Sequence, residues 1–203
     1  MSILPKFVRD AAEAGGFTPN PTRRGPVSLD QYFRELSVMH VALPQLTAGS
    51  AARYLVQYLH AETPDEVAGL WDGSEKLAGL IFQKRLGVVA LVNADDPLPR
   101  RRFTAAHELG HAVLHREVMG SVLQDADVDD ADGKAAGMEA EANRFAAELL
   151  MPEVVLRARA DELRAAHGCC PRVVLGYRLA SELLVSREAI GYRLKNLGVG
   201  DGE

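Results

Sequence analysis

Six histidines occur in the 203-residue sequence, and two of them frame the pentapeptide His107-Glu108-Leu109-Gly110-His111. Residues four apart in a helix lie one turn apart on the same face, so both imidazoles can reach one ion. The pattern suits a divalent metal, with His107 and His111 as ligands. Glu108 stands beside the pair, placed to take a proton from water that the ion has acidified, which makes it the expected general base of a hydrolytic centre. Chance placement yields such a motif in roughly one chain of this composition per hundred. The setting argues further against chance. Ala105, Leu109, Ala112, Val113 and Leu114 make the helix apolar on most sides and therefore buried. Two buried imidazoles with nothing to bind would leave polar groups unmet.

A catalytic zinc takes a third protein ligand and keeps one open position. His115 continues the four-residue series, yet three successive turns of a straight helix cannot converge on one ion, so His115 is read as a support to the ligands. A third ligand ten residues after His107 is excluded, because Leu114 and Glu117 stand where Gly and His would be needed. The better donor lies on the next helix, where Glu139, Ala142, Asn143, Ala146 and Leu150 share a face. Small Ala142 and Ala146 allow close approach, which brings Glu139 over the histidines. Asn143 then accepts a hydrogen bond from the ring nitrogen of His107 that does not bind metal. Glu141, about 200° away around that helix, is the competing ligand. One ion per chain is expected, zinc first, with manganese or another divalent metal as substitutes.

The rest of the chain must hold these helices in place. Hydrophobic residues make up 47% and charged residues 25%, a globular composition that excludes a disordered, collagenous or coiled-coil chain. A net charge of -5 argues against a general nucleic-acid coat. No apolar run is long enough to cross a bilayer, and Lys6, Arg9 and Asp10 interrupt the segment a secretory signal would need, so a cytoplasmic protein without a membrane partner is expected. Cys169 and Cys170, the two cysteines, are adjacent and read as reduced thiols.

Half of the ten prolines fall in residues 1–50, and the stretch 15–28 is a breaker cluster, so this part reads as a partly irregular N-terminal arm. Helices are expected at about 29–38 and 50–60, the second capped by Ser50 with Leu55, Tyr58 and Leu59 on one face. Residues 77–82 and 87–93 read as buried strands of an antiparallel hairpin. Residues 94–99 read as a loop, followed by the motif helix with Thr104 as a plausible cap. Residues 120–137 carry five aspartates and read as a solvated loop. Its Asp125, Asp127 and Asp129 open like a calcium loop, but Asp130 and Ala136 stand where Gly and Glu are required. Residues 138–152 form the next helix, ended by Pro152, and the chain beyond is helical.

The segments RFTAAHELGHAVLH at 102–115 and EAEANRFAAELLMP at 139–152 together resemble the ImmA/IrrE family of intracellular zinc metallopeptidases. The likeness covers about residues 51–156. It implies an α+β fold: a thermolysin-like minimal metallopeptidase core with a small antiparallel sheet, carrying metal on His107, His111 and Glu139 and the base on Glu108. Residues 157–203 resemble the helix-turn-helix that follows this core in IrrE-type proteins, with Ala180 and Leu183 packed across a turn from Ala189, Ile190 and Leu194. Across 171–200 five Arg or Lys face two Glu, a thin footprint for DNA binding. Packing against the peptidase is the plainer role for these helices. The resemblance implies an endopeptidase that cuts one regulatory protein, a helix-turn-helix repressor of stress-response or mobile-element genes. Two other readings remain open: a non-catalytic regulator with structural zinc and a DNA- or protein-binding C-terminus, and a toxin-like partner of a linked antitoxin. His115 and Tyr177 are candidate donors to the oxyanion.

Overall fold

The computed structural model describes residues 22, 24–59, 73–84, 87–116, 122–124 and 134–200. Its elements run α1 (Leu29–Glu35), β1 (Val38–Leu43), α2 (Ala48–Leu59), β2 (Gly79–Lys84), β3 (Gly87–Asn93), α3 (Leu98–Leu114), β4 (Val122–Gln124), α4 (Lys134–Leu150), α5 (Glu153–His167), α6 (Arg172–Leu183) and α7 (Arg187–Leu197). The four strands form one sheet in the order β1-β3-β2-β4. The fold is α+β.

β2 and β3 pair antiparallel, with Leu80 opposite Leu91 and Phe82 opposite Val89, as their leucine-rich and β-branched composition predicts. The sheet as a whole is mixed rather than antiparallel, because β1 runs parallel to β3 with Val38 opposite Val88. This edge strand lies in the stretch that reads as an arm. Of its six residues only Val38 is fully buried, so it lacks the alternation that marks a half-buried strand. α1 stops at Glu35, short of the expected 38, and Ser37 adopts a positive φ of 54° that turns the chain into β1. β4, antiparallel to β2, also falls where a loop is expected, while the acidic residues 125–133 lie outside the described residues.

Side chains alternate across the sheet. Leu80, Phe82, Val89 and Leu91 pack on one face against Leu46, Ala51, Ala52 and Leu55, which belong to α2 and its entry. Ile81, Val88, Ala90 and Val92 pack on the other face with Ala105, Ala106 and Leu109 of α3. The first group sets the buried side of α2, so Tyr58 is 69% exposed instead of sharing that side with Leu55. Thr47, not Ser50, caps α2: the Ser50 N–H donates to Thr47 Oγ1 at 3.1 Å and the Thr47 N–H donates to Ser50 Oγ at 2.9 Å.

α3 begins earlier than its composition suggests. Pro97 is its N-cap and Pro99 sits in the first turn, where a missing N–H costs nothing, so Thr104 lies in the helix interior. Every residue from Thr104 to Ala112 is buried, since the sheet covers one side of α3 and α4 the other. α4 spans Lys134–Leu150 and Pro152 caps α5 directly after it. Ala142, Phe145, Ala146 and Leu150 form its buried side as expected, with Leu149 half-buried. Leu175, Leu179, Leu183, Ile190 and Leu194 of α6 and α7 join the same apolar core as α3 and α4. Arg193 of α7 hydrogen-bonds Glu148 of α4, and its Nε donates to the Met151 carbonyl at 3.2 Å.

Candidate metal centre

The packing of α3 on α4 builds the site. Gly110 makes it close: a Cβ at this position would lie 3.2 Å from the Ala142 Cα and 3.1 Å from Phe145 Cδ1. A larger residue at either Gly110 or Ala142 would hold the helices apart. With both small, α4 lays Glu139 over the two histidines. Glu139 Oε2 is 3.1 Å from His107 Nε2, and Oε1 is 3.2 Å from His111 Nε2. The two Nε2 atoms are 2.9 Å apart. Ligand atoms of His107, His111 and Glu139 all fall within 4.8 Å of one another, the one such metal-compatible group among the described residues.

The remaining ring nitrogens are engaged elsewhere. His107 Nδ1 lies 3.1 Å from Asn143 Oδ1. Because an amide oxygen only accepts, His107 carries its proton on Nδ1 and turns the Nε2 lone pair toward Glu139. His111 Nδ1 lies 2.9 Å from His115 Nδ1, and His115 Nε2 lies 3.0 Å from Glu141 Oε2. The three rings are thus arranged in series along α3 and its C-cap, and only the first two converge with Glu139. Both nitrogens of His115 are occupied, which removes it as an oxyanion donor. Tyr177 is exposed on α6, where its hydroxyl accepts from Arg187 at 3.0 Å, and is likewise no part of the site.

Protonation favours metal binding. Burial, the largest influence on His111, lowers its pKa and keeps the ring neutral despite the opposing pull of Glu139. Close polar contact with the imidazoles of His107 and then His111 holds the Glu139 carboxyl far below the usual carboxylate range, against the effect of its partial burial. A neutral imidazole and an ionised carboxylate are the forms that bind a cation. Two nitrogen donors and one oxygen donor at these separations fit a divalent ion.

Glu108 is 2% exposed and lies between α3 and the start of β2. A Cβ on Gly79 would come within 2.3 Å of Glu108 Oε1 and 2.5 Å of Thr104 Cγ2. Gly79 therefore makes room for the carboxylate. Sequence reasoning missed this residue, as it missed the part Glu141 plays beside His115. The glycine opening a buried strand was the available signal for the first, since such a residue often marks a close approach.

The sequence profile of the IrrE N-terminal-like domain, a peptidase family, matches residues 72–195. The chain belongs to the IrrE N-terminal-like family. The matched span begins just before β2 and ends within α7, so the IrrE N-terminal-like domain here takes in the sheet hairpin, both site helices and most of the C-terminal helix pair. The chain is also 26% identical over 120 residues to the uncharacterized immunity region protein 2 of Bacillus phage phi105, across 56% of this chain and 73% of the phage protein. No helix among the described residues is long and apolar enough to cross a membrane. Cys169 and Cys170 are free thiols.

Proposed function

We propose that this chain is a cytoplasmic zinc-dependent endopeptidase that cleaves a regulatory protein, a helix-turn-helix repressor, at one site and so derepresses stress-response or mobile-element genes. The observation that carries the reading is the convergence of His107 Nε2, His111 Nε2 and a Glu139 carboxylate, with Glu108 one residue from the first ligand. Family membership supports peptidase chemistry, and the phage relative's designation as an immunity region protein accords with a mobile-element setting.

In this reading His107, His111 and Glu139 hold the ion. A bound divalent ion supplies a Lewis acid for the scissile carbonyl and brings the pKa of water near neutrality. Asn143 fixes the tautomer of His107. Glu108 accepts the proton of the attacking water as its oxygen joins the carbonyl carbon. As the carbon–nitrogen bond breaks, Glu108 passes that proton to the leaving amine. Structural zinc in a non-catalytic regulator would be closed by a fourth protein donor, whereas the three donors gathered among the described residues are the complement of a catalytic site. Direct DNA binding has thinner support, because α6 and α7 spend their apolar faces on the main core and Arg193 is bound to Glu148.

The test is incubation of the zinc-loaded protein with the repressor encoded nearest to it, followed by mass analysis of fragments. Glu108→Gln should keep one zinc per chain and lose cleavage by about 10²–10⁴-fold. Cleavage at the wild-type rate by that variant, with metal bound, would refute the assignment of the base.

A further inference from the structure

A ring nitrogen that binds a cation must present a lone pair, so the other nitrogen of a neutral imidazole carries the proton. For His111, whose Nε2 faces Glu139 and His107, the proton belongs on Nδ1. The atom 2.9 Å from that Nδ1 is not an oxygen but the Nδ1 of His115. Two imidazoles facing each other in this way can form a hydrogen bond only if one donates and the other accepts. If both Nδ1 atoms carried protons the contact would be repulsive, and His111 would have to rotate or give up its tautomer. His115 must therefore keep Nδ1 bare and carry its proton on Nε2. Nothing within the His115 ring enforces that choice. Glu141 does, because its Oε2 lies 3.0 Å from His115 Nε2 and accepts only.

We propose that Glu141 is a positioning residue for the metal site, acting through His115 to fix the tautomer and orientation of His111. The wiring runs in one direction: His111 Nδ1–H donates to His115 Nδ1, and His115 Nε2–H donates to Glu141. His107 has the short version, one hydrogen bond to Asn143, and His111 has a two-step version that ends on a full negative charge. A carboxylate at the end of the chain draws the His115 proton outward, makes its Nδ1 a better acceptor and so makes His111 Nε2 a better donor to a cation. Burial suits the arrangement. The His115 side chain is 4% exposed, so water has little access to compete for its nitrogens, while Glu141 at 40% sits at the boundary where its charge stays solvated. Glu141 thus has a task distinct from that of Glu139, two residues earlier on α4.

The inference rests on the metal-site reading and is tested apart from cleavage. Zinc affinity is measured by competition with a chromophoric chelator, and ring protonation by long-range proton–nitrogen spectra of the zinc-loaded, histidine-labelled full chain. In the wild-type protein His115 should show the Nε2–H tautomer. Glu141→Ala, at a partly exposed helix position that leaves folding intact, should bind zinc about 10–100-fold more weakly and lose that single tautomer. Glu141→Gln keeps an acceptor and should restore the tautomer and most of the affinity. Wild-type affinity and an unchanged His115 spectrum in Glu141→Ala would overturn the proposal while leaving the metal site standing. Complete loss of zinc in Glu141→Ala, with Glu141→Gln equally empty, would make Glu141 a ligand and overturn it too. If the wild-type chain itself took up no zinc, both the metal-site reading and this inference would fall.

Discussion

Gly79→Ala is a one-carbon change that addresses the base without touching it. The added Cβ would sit 2.3 Å from Glu108 Oε1 and 2.5 Å from Thr104 Cγ2. Ordinary contact begins near 3.4 Å, so one of the three must move by about 1 Å. Thr104 is β-branched within a helix and has little rotamer freedom. β2 is held by Gly79 opposite Val92 and by the Asn93 N–H donating to the Ala78 carbonyl at 2.9 Å. The carboxylate tip, at the end of a longer side chain, yields most cheaply. Overpacking of this kind costs about 1–3 kcal/mol. For a chain of this length that lowers Tm by about 2–4 °C for each kcal/mol. The larger effect falls on the reaction, since a displacement of about 1 Å at a reacting group costs on the order of 10²-fold in rate. The assay compares kcat/KM for repressor cleavage by zinc-loaded wild type and Gly79→Ala, with zinc content and a thermal melt alongside. Gly191→Ala, at a helical position with open space around the new methyl, is the control and should be as active as wild type and slightly more stable. Full activity in Gly79→Ala with zinc bound would refute the claim that the glycine shapes the seat of Glu108.

Gly110→Ala should separate stability from metal affinity. Its Cβ meets Ala142 Cα at 3.2 Å and Ala142 O at 3.3 Å, both backbone atoms, so α3 and α4 must part by a few tenths of an ångström. Better helix propensity, about 1 kcal/mol, offsets the strain, and Tm should barely move while zinc affinity falls several-fold in a chelator competition. His40 gives a pH signature away from the metal. Burial lowers its pKa below the ordinary value, and its ring stacks on Phe33 at 4.5 Å. The unfolded chain therefore binds the proton first as pH falls. The stabilisation is fully present above about 6.5 and is lost as pH drops through the folded-state value. His40→Phe should flatten the decline of Tm between pH 7 and 5, and a slope equal to that of wild type would show that His40 does not contribute.

What the sequence revealed and what it hid divide along a physical line. The motif helix and α4 were legible because their periodicity, small residues and burial all arise within one segment, and because a stripe of alanines beside Glu139 states how near a neighbour can come. β2 and β3 were legible because only a few residues separate two apolar runs in the sequence. β1 was not, since its residues Val38–Leu43 are mostly half-exposed at an edge and its partner lies far along the chain. The start of α3 was hidden by Pro97 and Pro99, which look like a loop yet are tolerated at a helix entrance. The role of His115 was half legible. Its i+4 spacing excluded it as a third ligand, but its two partners depend on how α4 crosses α3, which spacing within one helix cannot express.

The parallel pairing of β1 with β3 also has a consequence for biosynthesis. Val38 waits for Val88, fifty residues downstream, before its hydrogen-bonding edge has a mate. At a translation rate of about 5–20 residues per second, that strand spends roughly 3–10 s outside its sheet while the hairpin it needs is still being made. Until the β2–β3 hairpin emerges, that stretch is a target for chaperones.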